Sequence, residues 1–99
     1  MSSSKEFRDF ILDQLRDLPN ISFKPMMGEI LLYCNQILFG GIYDDRFLIK
    51  KTESNKKYEL TEEIPYKNAK PMYMIENIDD PEYLSNLVKD TCMDLNKKA

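Results

Sequence analysis

The chain has no histidine and no tryptophan, only two cysteines and only three glycines among its 99 residues. Without histidine there is no His-based catalytic triad and no His-containing zinc site, and the commonest general base is missing from any catalytic scheme. Cys34 and Cys92 are far apart and form no CxxC or other close metal-ligand pair, so the expectation is two inert thiols in or near the core, kept reduced in the cytosol. No glycine-rich phosphate loop, RNP-like motif or GxSxG elbow is present. Long apolar runs are also lacking. The richest stretch is broken by Asn35-Gln36 and falls far short of the roughly 20 residues of a spanning helix, and MSSSKEFRDF has no secretory core, so a soluble, cytoplasmic protein without membrane contact is expected.

What is present suits a single domain over residues 1–99, with 42% hydrophobic and 31% charged residues. A net charge of −3 gives no general affinity for nucleic acid. The charge is unevenly spread: residues 46–70 hold seven Lys/Arg against four Glu, and residues 76–99 hold six Asp/Glu against three Lys.

Most of the strongly apolar sequence lies between Pro25 and Lys51. Ile30 to Cys34 and Ile37 to Tyr43 are strand-like runs meeting at Asn35-Gln36, and Asp44-Asp45 leads into a third run, Arg46 to Lys50, which predicts a three-stranded antiparallel meander. Ile21 to Met26 reads as a preceding strand, held at an edge by Pro25, and Pro71 to Glu76 as a fifth. A first helix is predicted from Phe7, Phe10, Ile11, Leu15 and Leu18, with Ser3 and Glu6 as a capping box and Pro19-Asn20 as the stop. A last helix is predicted from Asp80 as cap and Pro81 as first residue, with Leu84, Leu87, Val88, Thr91 and Leu95 as its stripe. Between them, Lys51 to Lys57 reads as a mobile solvated loop, Tyr58 to Leu60 as extended, and Thr61 to Ile64 as one helical turn. The fold class is α+β: two layers, an antiparallel sheet of about five strands packed by N- and C-terminal helices.

The central strands are apolar on both faces, although a sheet covered on one side normally alternates. The second face therefore needs cover, and a homodimer through it is expected, the alternative being that Tyr58, Leu60, Ile64 and Tyr66 seal it within one chain. Gly40-Gly41 marks a bulge or a close backbone approach. Glu29, Asp44 and Asp45 invite an acid/base or metal reading, but paired aspartates at a hairpin break serve the turn itself. Lysines interleaved with tyrosines, at Lys50, Tyr58, Tyr66, Lys67, Lys70 and Tyr73, read as a solvated face with anchoring tyrosines.

Lys24-Pro25-Met26-Met27-Gly28-Glu29, Leu32-Tyr33, Phe39 to Lys50, Pro65-Tyr66 with Ala69-Lys70-Pro71-Met72, and the helix after Asp79-Asp80 follow one another in an order and spacing that resemble the N-terminal domain of the TfoX/Sxy family of bacterial competence regulators. The resemblance implies a two-layer α/β domain acting in transcriptional regulation through protein contacts, with no catalytic residues and no cofactor. Longer members append a DNA-binding-type helical domain after the point where this chain ends, which argues against direct nucleic-acid contact. The implied function is a non-enzymatic module binding a protein partner, with a transcription regulator as the candidate. A small-molecule sensor or an enzyme with a pocket near Gly40-Gly41 is the alternative. The candidate binding surface comprises Glu29, Gly40, Gly41, Asp44, Asp45, Arg46, Tyr66 and Lys70.

Overall fold

The meander at the centre of the sheet is set by three short turns. In the computed structural model, which describes residues 4–98, strands β1 (Ile21–Met26), β2 (Glu29–Cys34), β3 (Ile37–Tyr43) and β4 (Arg46–Ile49) follow one another as antiparallel neighbours. Each turn between them has two residues, Met27-Gly28, Asn35-Gln36 and Asp44-Asp45, all with positive φ. That geometry matches the right-handed twist of the flanking strands, and it is tolerated best by Gly, Asn and Asp. Gln36, at φ 69°, is the poor fit. Gln36→Gly is expected to raise stability by about 0.5 kcal/mol, read as a higher urea midpoint at constant slope.

The sheet has six strands rather than about five, in the order β1-β2-β3-β4-β6-β5. The additional strand is β5 (Thr61–Glu63), where one helical turn was expected. Glu59 turns the chain at φ 54°, and Thr61 to Glu63 then pair with Met74 to Met72 of β6 (Met72–Met74), so a free sheet edge overrides the local helix signal. Tyr58 ends a 3-10 turn, Lys56–Tyr58, and is not extended. As Pro25 suggested, β1 lies at an edge.

Two helices cover one face. Helix α1 (Lys5–Gln14) is capped by Ser4, whose hydroxyl accepts from the Phe7 amide; the expected Ser3 cap lies outside the described residues. The helix ends earlier than expected, because three-residue bonds from Leu15 to Leu12, Arg16 to Asp13 and Leu18 to Leu15 tighten the chain ahead of Pro19. Phe10 lies outside the core, half-exposed, while Ile11 and Leu15 are buried. Helix α2 (Pro81–Lys98) starts as predicted, the Asp80 carboxylate accepting from the Tyr83 amide. Its Leu84, Leu87, Val88 and Cys92 meet Ile30, Leu32, Phe39, Ile42, Phe47 and Ile49 from the sheet in one core. Among the described residues, no helix is long and apolar enough to cross a membrane.

The polar stretch after β4 is not a solvated loop. Asn55 is fully buried and Thr52 nearly so. Asn55 Nδ2 donates to the Lys50 carbonyl and to Thr91 Oγ1, and its Oδ1 accepts from the Thr52 amide. Ser54 donates to the Asp90 carbonyl, so polar side chains fasten this segment to α2.

Candidate functional site

Strand parity divides the sheet into a helix face and a second face. Glu29, Leu31 and Tyr33 of β2, with their β1 neighbours Met26, Lys24 and Ser22, point to the second face, as do Leu38, Tyr43, Arg46 and Leu48. A β-bulge between β2 and β3, where the register shifts at Leu32/Tyr33, keeps both Phe39 and Gly40 on the helix side. There is no room for a side chain at Gly40, because a Cβ would lie 2.3 Å from the Leu48 carbonyl oxygen.

The connection from β5 to β6 folds back over part of the second face. Arg46 pins it: Nη2 donates to the Pro65 carbonyl at 3.2 Å and Nη1 to Glu63 Oε1 at 3.2 Å, while Nε donates to the Tyr43 carbonyl. Pro65 is buried, and the Tyr66 ring lies 6.2 Å from that of Tyr43. Burial, with Tyr66 next in importance, pushes the Tyr43 phenol up, so it stays neutral. Under this strap opens a cavity of about 550 Å³ with Leu38, Tyr43 and Met72 on its apolar side and Lys50, Lys51 and Lys70 around it.

The strap stops at β3. On β1 and β2, Leu31 and Tyr33 remain half-buried and Met26 is 51% exposed. Of the four residues expected to seal this face, only Tyr66 packs on it, beside Tyr43, and at 62% exposed it does not seal it. Tyr58 and Leu60 pack against the helix-side core instead, and Ile64 is 53% exposed.

The candidate surface residues therefore separate. Tyr66 and Lys70 line the cavity, Gly40 reaches it only through its backbone, and Arg46 holds its strap. Gly41 is packed under the Ile30 carbonyl and the Tyr43 ring. Glu29, Asp44 and Asp45 sit at the hairpin end, where Glu29 accepts from the Asp44 amide at 3.0 Å and Asp45 accepts from the Ser4 amide at 2.7 Å. The Glu29 and Asp45 carboxylates serve backbone amides, and none of the three lines the cavity with Lys70. Among the described residues, no group of three or more His, Cys, Asp or Glu is placed to hold a metal ion. Lys50, Lys51, Leu38 and Met72 were not singled out as a site. The lysine–tyrosine interleaving carried part of the signal, since Lys50, Tyr66 and Lys70 come together while Tyr58 and Tyr73 turn to the helix side.

Two further clusters lie on the helix side. Cys34 and Cys92 both line a cavity of about 340 Å³ beside α2, and burial, followed by the neighbouring Cys34 thiol, raises the Cys92 thiol strongly, making it a poor nucleophile. Tyr58 donates to Asp90 Oδ2 at 2.8 Å, and burial, then this bond, push its phenol up to about 12. The folded state thus keeps a proton that an unfolded tyrosine releases near pH 10. Tyr58's contribution to stability is full below about pH 10 and lost as the pH rises towards about 12. Denaturation midpoints should fall across that window in the wild type and fall less steeply in Tyr58→Phe. Equal slopes would remove Tyr58 from the account.

The family described as TfoX N-terminal domain matches residues 13–94. A protein of Spirochaeta aurantia, described as an uncharacterized 12.7 kDa protein in the trpE 5' region, is 26% identical over 80 residues, covering 79% of this chain and 70% of that protein. No solved structure matches the chain significantly.

Proposed function

The chain belongs to the TfoX N-terminal domain family, and from that premise we propose that it is a non-enzymatic, cytoplasmic regulatory domain that binds a protein partner through the open half of its second sheet face. The observation that carries this reading is the pair of strands β1 and β2, whose Met26, Leu31 and Tyr33 stay accessible where the strap ends. Apolar surface of this kind on a sheet commonly marks an interaction site. Glu29 and Asp45 speak against an acid/base site, because their carboxylates accept from backbone amides at one end of the sheet. A role in transcriptional regulation, as in the longer competence regulators, is the setting that family membership favours, with a transcription regulator as the partner.

Affinity capture with the wild-type chain and with a Leu31→Gln/Tyr33→Gln variant tests this reading. A partner retained by the folded wild type and lost by the folded variant supports it. A partner held equally by both places the contact elsewhere. A second copy of the chain also fits an apolar sheet face. Light scattering over a tenfold concentration range decides that case, since a constant monomer mass removes self-association.

A further inference from the structure

We propose that the cavity under the Pro65–Tyr66 strap is a binding site for a small organic anion carrying a flat ring, a property independent of the protein-binding role. Its volume of about 550 Å³ lies within the range of small-ligand sites, roughly 300–1,000 Å³. Its lining combines an aromatic and apolar side, with Tyr43, Tyr66 and Met72, and a cationic side, with Lys50, Lys51 and Lys70. None of the lining residues is acidic, in a chain whose acids outnumber its bases 17 to 14.

The three lysines are not equivalent. Lys51 is already engaged, with Nζ 3.1 Å from Glu62 and over the Tyr73 ring at 5.6 Å. Lys50 and Lys70 have no ion-pair partner among the described residues, and Lys50 is half-buried. Its backbone is fixed from both sides, the amide donating to the Phe39 carbonyl and the carbonyl accepting from buried Asn55. A cation held at the mouth of an apolar concavity, with uncompensated charge, raises the local concentration of anions. The Tyr43–Tyr66 pair provides a face for a ring, and Tyr66, at 62% exposed, leaves that face accessible. A phosphate or carboxylate meets Lys50 and Lys70 while its ring lies against the tyrosines.

The probe is 1-naphthyl phosphate, with 1-naphthol and inorganic phosphate as its separated halves, titrated into the full chain and followed by calorimetry and amide chemical shifts. The whole probe is expected to bind about tenfold or more tightly than either half, to shift amides of Leu38, Lys50 and residues 66–72, and to weaken with added salt. Lys50→Gln/Lys70→Gln is expected to lower affinity about tenfold, and Lys70→Gln, at an exposed position, to lower it measurably without affecting folding. Absence of binding, equal affinity for 1-naphthol, or shifts confined to other surfaces would overturn the proposal. Unchanged affinity in Lys70→Gln would overturn it even if the double variant did not fold.

Discussion

Replacing Asn55 with leucine is expected to destabilise the protein by about 3 kcal/mol, one of the largest effects of any single side chain here. Asn55 is fully buried, and its amide group serves the Lys50 carbonyl, Thr91 Oγ1 and the Thr52 amide together. Leucine has the same branching and side-chain heavy-atom count but leaves these groups in the interior with fewer partners, and each buried unsatisfied group costs about 1–3 kcal/mol. Thr91 retains its bond to the Leu87 carbonyl, which keeps the loss below the sum. For a domain of this size the fall in Tm is roughly 12–24 °C. Glu53→Ala removes only an exposed pair with Lys56 and is expected to leave the urea midpoint essentially unchanged. If the two variants unfolded alike, the 51–57 segment would be the solvated loop that its composition suggests.

Gly40→Ala is expected to cost about 3 kcal/mol for a different reason. The new Cβ would meet the Leu48 carbonyl oxygen at 2.3 Å and Ile49 Cα at 2.9 Å, and both are backbone atoms of the adjacent strand. Neither moves without parting β3 from β4. Since Lys50 bonds to Phe39 beside the bulge, the disturbance should reach the cavity as well. Urea unfolding with an unchanged slope checks the magnitude. A loss below about 1 kcal/mol would mean that the bulge can yield, and that this close approach is not what excludes a side chain there.

The meander was legible in the sequence because its determinants are local. Alternating apolar runs and turn residues able to take positive φ lie next to one another at Asn35-Gln36 and Asp44-Asp45. The cap at Asp80 with Pro81 is equally local. What was misread depends on distant partners. Thr61 to Glu63 is a strand because β6 offers an edge, and Asn55 is buried because Thr91 lies 36 residues away on α2. The helix after Ser4 shortened because its last turn tightened before Pro19, which periodicity alone does not reveal.

The site was legible only in fragments for the same reason. Gly40, Arg46, Tyr66 and Lys70 stood out by residue type, but the contact that unites them is the Arg46 guanidinium on the Pro65 carbonyl, 19 residues away. Glu29, Asp44 and Asp45 stand out in the sequence as carboxylates, and the geometry gives Glu29 to the Asp44 amide of the turn and Asp45 to the Ser4 amide. Lys50 ended an apolar run and read as the edge of solvent, until the strap enclosed it.

The central claim, that the open half of the second sheet face is where a protein partner docks, is tested most directly by amide hydrogen exchange on the captured complex against the free chain. Added protection in β1 and β2, centred on Leu31 and Tyr33, with the exposed face of α2 around Met93 unchanged, is the predicted result. Protection confined to α1 and α2, with β1 and β2 exchanging as in the free chain, would contradict it.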